Sequence, residues 1–245
     1  MSSQPSIDRF RRLARSSPWL WRSLEFRWRV EPDHVRHAWI RRPGSLRVED
    51  ESETLLEASV ADRPYPGAMV YSSDGTSQPM QGHWPCDIHP VYAEDGLVES
   101  VPERFDVDYD QPFYEDYRWV AMLNPIELAD RVHDRDGQPA RLPVELHEIT
   151  RVEHHGRPAW QAIAQPTPAY DPRCDCCPLL SGEFDNDTDL WTPGPPALVR
   201  LDEQTGVCVT IEGTAAIELD VEIIAVDRPL DDELFTPPRR TWFRR

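Results

Sequence analysis

The stretch SLEFRWRV, residues 23–30, decides the fold class. Leu24, Phe26, Trp28 and Val30 alternate with Glu25, Arg27 and Arg29. Successive side chains of an extended chain point to opposite faces, so this segment has one apolar face and one charged face. That pattern marks a strand in an antiparallel sheet with one side packed and the other wet. The neighbouring sequence continues it. EPD (31–33) turns the chain, HVRHAWI (34–40) returns, and SLRVED (45–50) and TLLEASV (54–60) extend the meander. AMVYSSDGT (68–76) reads as a strand running into an Asp-Gly turn. Upstream, Ile7, Phe10 and Leu13 recur at helical spacing behind Ser6, a suitable N-cap, so a short helix is expected over residues 6–17.

Farther along, YRWVAMLNPIELADRV (117–132) is the best helical stretch, with Trp119, Met122 and Leu123 on one face. Pro125 falls inside it, which predicts two short helices meeting there, with Asn124 capping the second. VELHEITRVEHHGRPAWQAIAQP (144–166) is a β-hairpin turning near HHGR, and PALVRLDEQTGVCVTIEG (196–213) is another turning at 204–206. AIELDVEIIAV (216–226) is a last alternating strand, with Ile217, Leu219, Val221 and Ile223 on one side. The expected class is α+β, mostly antiparallel β, with a few short helices.

Composition narrows the function. At 245 residues the chain suits one large β domain, and a mean hydropathy of −0.61 demands a very polar surface. No apolar run approaches the roughly 18 residues of a membrane helix. The opening MSSQPSIDRFRRLARSSPWLW has no apolar signal region, so a cytoplasmic location is expected. Net charge is −18, unevenly spread: residues 1–47 hold eleven Arg against four acids, a local +7. An acidic body repels phosphates, which argues against a nucleic-acid partner. The arginine-rich front is expected to neutralise the protein's own acids. The 25 prolines punctuate loops between apolar runs rather than forming a linker.

Taken in order, the opening helix, the meander, WVAMLNPIELAD, the GRPAW strand, LVRLDEQTGVCVTIEG and the closing VDRPLDDELFTPP resemble the LolA-type lipoprotein carriers and RseB-type sensor domains of actinobacteria. The most specific part is a Leu-Asp-x-x-Thr-Gly hairpin, an alternating strand, then Pro-Leu-x-Asp-x-Leu-Phe. The resemblance implies a curved half-barrel sheet with helices in its concave face around an apolar cavity, which binds lipid or acyl groups without covalent chemistry. This chain departs from it in a Pro-rich, cysteine-bearing insertion at about residues 166–196.

That insertion carries YDPRCDCCPLL (170–180), with three of the five cysteines. C-x-C-C lacks the second pair of a usual structural zinc site, so a fourth ligand would have to come from Cys208, Cys86, His154 or His155. Inert packing is the leading expectation, with a disulfide, a metal site on Cys174, Cys176, Cys177 and Cys208, or thiol redox chemistry as alternatives. HWPCDIHP (83–90) spaces His83, Cys86 and His89 evenly, but its prolines argue for a loop. The acidic runs around Asp106, Asp108 and Asp110, and around Asp185, Asp187 and Asp189, lack the glycine and glutamate of an EF-hand. Hydrolase elbow, phosphate loop and dinucleotide signatures are absent, so no catalytic residue is assigned.

The expectation is therefore a single domain over residues 1–245, a non-catalytic binding protein needing no cofactor. Its apolar cavity, walled by Leu24, Phe26, Trp28, Trp39, Trp119, Met122, Leu123 and Trp160, would take a hydrophobic small molecule or a segment of a protein partner. A cysteine-ligated metal or thiol-redox protein and a protein-interaction module are the alternatives.

Overall fold

The computed structural model describes all residues except 1–3, 32–33, 65–68, 73–74, 80–81, 103–111, 131–141, 175, 186–189, 215–216 and 238–245. The chain opens with helix α1 (Ile7–Leu20), whose N-cap Ser6 accepts from the Arg9 N–H. Four strands follow as a meander: β1 (Ser23–Glu31), β2 (His34–Arg41), β3 (Ser45–Glu49) and β4 (Leu55–Val60). Two small hairpins come next, β5 (Met69–Tyr71) with β6 (Ser77–Pro79) and β7 (Val91–Tyr92) with β8 (Val98–Ser100). Helix α2 (Tyr117–Leu123) leads to the long hairpin of β9 (Val144–His154) and β10 (Arg157–Pro166), then a small one of β11 (Gly182–Asp185) and β12 (Leu190–Pro193). β13 (Ala197–Asp202), β14 (Cys208–Thr214) and β15 (Ile217–Val226) close the chain.

Among the described residues the main sheet has nine strands in the order β4-β3-β2-β1-β15-β14-β13-β10-β9. It is antiparallel throughout and remains an open half-barrel. The pairing of β1 with β15 joins the two meanders into one core. Phe26 faces Ile223 on one side and Ala38 on the other, and Ala38 faces Val48, all buried. The two helices lie over this face. Phe10, Leu13 and Ala14 of α1 and the whole apolar side of α2 are buried in the same cluster. At about 1.5–3 kcal/mol for each large side chain removed from water, this cluster is the dominant favourable contribution to folding.

Helix α1 runs beyond residue 17, through Pro18 to Leu20. The carbonyls at its end are taken up from outside, since Arg42 Nη1 donates to Ser17 O (3.1 Å) and Trp21 O (2.6 Å). The break at Pro125 lies where the sequence placed it: α2 ends and a 3₁₀ turn covers Ile126–Leu128. Asn124, however, closes α2 at its C-terminus, donating its N–H to Val120 O, and Pro125 opens the second turn. Proline has the fixed φ and the absent N–H that suit a helix start.

The charged front of the chain is neutralised internally. Arg9 and Arg12 reach Asp95 (3.0 and 3.1 Å), Arg15 pairs with Asp130, Arg27 with Glu222 (3.0 Å), and Arg29 with Asp220 (3.2 Å). Such partly exposed pairs contribute about 0–1 kcal/mol each. Their main effect is to tie the basic N-terminal elements to acidic ones from the middle and end of the chain. No described helix is long and apolar enough to cross a membrane.

Candidate functional site

The cysteine loop leaves the sheet after β10. Thr167 starts it with a turn, its N–H bonding Pro143 O (2.9 Å) and its hydroxyl bonding Leu142 O (2.8 Å). Tyr170 is then buried against Trp191 of β12, ring centroids 5.5 Å apart. Beneath the loop lies Glu127, a carboxylate only 1% exposed in the 3₁₀ turn after α2. It accepts the Tyr170 hydroxyl, the Arg173 N–H (3.0 Å) and the Leu179 N–H (2.9 Å). The Tyr170 oxygen in turn accepts from the Leu180 N–H (3.2 Å). One buried side chain thus holds both ends of the segment that carries the cysteines, and leaving it unpaired there would be very costly.

Between those anchors the chain folds back, with the Cys177 N–H on Cys174 O (3.2 Å). The sulfurs converge: Cys174 Sγ to Cys176 Sγ is 2.8 Å, Cys176 Sγ to Cys177 Sγ is 3.6 Å, and the three lie within 4.8 Å of one another. All are free thiols. A tetrahedral zinc with Zn–S bonds near 2.3 Å separates its sulfurs by about 3.8 Å, so small adjustments of these side chains would suffice. Cys177 is buried, Cys174 half-buried and Cys176 exposed, so the group is closed on the protein side and open to solvent on the other. Burial and its neighbours' thiols push Cys177 up to about 12. Cys174 shifts the other way: burial opposes ionisation, but hydrogen bonds from Cys176 and Cys177 outweigh it.

The other expected ligands go elsewhere. Cys208 is buried in β14, its thiol on Thr210 O (3.7 Å), and is not part of the three-sulfur group. Cys86 lies in a separate cleft beside α1. His154 and His155 converge on Asp220 instead, at 3.4 and 2.8 Å. That carboxylate also pairs with Arg29, and His154 Nε2 lies 3.0 Å from Val221 O, so the trio belongs to a hydrogen-bonded network with Arg29. His83, Cys86 and His89 do not form a ligating group among the described residues. Of the acidic runs, Asp106, Asp108, Asp110, Asp187 and Asp189 lie outside the described residues.

Seven of the eight expected wall residues, Leu24, Phe26, Trp28, Trp119, Met122, Leu123 and Trp160, come together in one cluster, each at most 2% exposed. They pack on one another: the Trp119 ring lies 5.2 Å from both Phe26 and Trp28, and its indole N–H is taken by Pro112 O (2.9 Å). Trp39 belongs to the opposite face. It pairs with Glu25 across β1 and with Arg47 across β3, and both alternate with the inward residues. There it stacks on His37, centroids 3.8 Å apart. That face is covered by the closing segment. Arg41 bonds Leu230 O (2.8 Å) and lies 4.9 Å above the buried Phe235 ring, and Arg47 bonds Leu234 O (2.9 Å).

Comparison with protein-family models gives no match, and comparison with curated proteins gives no relative. The site therefore rests on its own geometry. Sequence reasoning missed Glu127, although an acid inside the apolar run WVAMLNPIELA is a signal of a buried, partnered carboxylate.

Burial also sets an alkaline limit to stability. Desolvation raises Cys208 far above its ordinary 9.0, and desolvation plus the Glu127 charge raises Tyr170 well above 10.0. A group raised in the folded state favours folding below its unfolded pKa, and that contribution is lost as pH climbs past it. Urea midpoints are expected to be level from about pH 7 to 8.5 and to fall above about 9, with Cys208→Ala flattening the fall between about 9 and 10. A flat profile to about pH 11 in the parent protein would contradict this burial.

Proposed function

We propose that the protein binds a soft, thiophilic cation, zinc or copper(I), through Cys174, Cys176 and Cys177. The observation that carries the reading is the convergence of three free sulfurs within 4.8 Å on a loop held at both ends by buried Glu127. Thiolates select zinc and copper(I) over hard cations. Three protein sulfurs leave a further position on the exposed Cys176 side, open to water or to an incoming ligand. Binding must displace protons from these thiols, so affinity is expected to rise with pH. The reading is of a binding protein rather than an enzyme.

The test is metal analysis of protein purified under reducing conditions, then titration with zinc or copper(I) against a competing chelator. About one equivalent per chain is expected, with affinity falling at least about tenfold in Cys176→Ser, whose exposed side chain takes no part in core packing. Substoichiometric metal, with all five thiols titrating once the protein is denatured, would overturn the proposal. Two thiols missing from the same denaturing titration of protein purified without reductant would instead favour the thiol-redox alternative.

A further inference from the structure

A cleft of about 440 Å³ opens where the end of α1 meets the turn after β2 and the loop before β7. This is the size of a small-molecule site. Trp19, Trp21 and Tyr92 supply aromatic surface, and Arg22, Arg42 and His89 supply the charged and titratable groups. Among the described residues none that lines it is acidic, in a chain with 44 Asp and Glu. Against a surface of net charge −18, this is a local site of opposite sign, where an anion is drawn in rather than repelled.

The walls are held before any ligand arrives. The Trp19 indole N–H donates to Pro85 O (2.8 Å) and Ile88 O (3.3 Å), fixing the loop that forms one side. Arg42 lies over the Trp21 ring, its Cζ 3.3 Å from the centroid, while its Nη1 holds the end of α1. Burial lowers its pKa, yet a guanidinium remains protonated in proteins. Asp227, whose charge also reaches Arg42, accepts the Arg22 and Ser23 N–H groups at 2.6 and 3.1 Å. Burial and the neighbouring Asp87 raise the Cys86 thiol, so no thiolate competes for the cation at neutral pH.

We infer that this cleft binds a small organic anion with a flat apolar body, an aromatic carboxylate being the class it fits. The ring would lie among Trp19, Trp21 and Tyr92, with the carboxylate toward Arg22 and Arg42. The site is independent of the cysteine loop, so it stands or falls separately from metal binding.

Calorimetric titration of the full chain with 2-naphthoate and with the neutral 2-naphthalenemethanol tests it. Saturable binding of the carboxylate is expected, about tenfold tighter than the alcohol and weakened by added salt. Arg42 also caps α1, so its replacement would test folding as much as binding. Arg22→Gln and Tyr92→Ala are at exposed positions and avoid this. Arg22→Gln should weaken naphthoate about three- to tenfold and leave the alcohol unchanged, while Tyr92→Ala should weaken both. Equal affinity for the two probes, no saturable binding of either, or unchanged naphthoate binding in Arg22→Gln would overturn the inference.

Discussion

Replacing Glu127 by Ala is expected to cost about 3–5 kcal/mol, because it leaves three donors without their acceptor. The carboxylate accepts the Tyr170 hydroxyl and the Arg173 and Leu179 N–H groups. All three donors would be left facing apolar surroundings, at about 1–3 kcal/mol each if none finds water. Glu127→Gln should cost roughly half as much, because one amide oxygen still accepts while the NH₂ group meets a donor it cannot satisfy. The consequence reaches the sulfurs, since residues 173 and 179 bracket the cysteines. Metal affinity should therefore fall with stability in both variants, even though Glu127 is not a ligand in the proposed site. Urea denaturation and chelator competition on the same preparations check this. A loss under about 1 kcal/mol, or full metal affinity in Glu127→Ala, would show that the loop keeps its shape without this anchor.

What the sequence displayed was the part of the fold written in local periodicity. Leu24, Phe26 and Trp28, and Leu219, Val221 and Ile223, alternate because each strand buries one face, and both sets sit inward. The arginine-rich front was legible too, as charge that had to find acids within the chain. Trp39 was misplaced for a physical reason. Its face of the sheet is covered by residues 230–235, so an aromatic there is also buried and period-2 logic alone cannot distinguish inner from outer. The expected cavity and a packed core call on the same residues, so alternation does not separate them, and in the structure the Trp119 ring lies 5.2 Å from both Phe26 and Trp28. The thiol loop was visible as a set of candidate ligands but not as a geometry. Its geometry depends on contacts from Glu127 to residues 43 to 52 positions away, which no local window contains. The cleft was hidden likewise, because α1, the turn after β2 and the Pro85–Pro90 loop each contribute a part.

Asp202→Ala is expected to have an effect of the same order, about 3–5 kcal/mol, and to show how the Leu-Asp-x-x-Thr-Gly hairpin serves the fold. Asp202 is 2% exposed. Its carboxylate takes Arg157 in two bonds (2.8 and 3.1 Å), the Thr205 N–H and hydroxyl (2.9 and 2.8 Å) and the Gln204 N–H (3.2 Å). Its main chain closes the turn with Gly206 N–H on Asp202 O (2.8 Å). Gly206 adopts φ +69, and a Cβ there would lie 2.5 Å from Leu13 O. The turn therefore sits directly under α1, and a distorted turn must displace the helix. Asp202→Asn retains an acceptor for the turn but loses the ion pair, so about 1–3 kcal/mol is expected. Arg157→Ala should cost less than Asp202→Ala, because its side chain is 24% exposed and water replaces part of what is lost. Hydrogen exchange distinguishes this from general weakening of the sheet. In Asp202→Ala the α1 amides should lose protection more than those of β1 and β15, which the turn between β13 and β14 does not join. Equal loss in helix and strands would mean that the buried aspartate stabilises the hairpin without positioning α1.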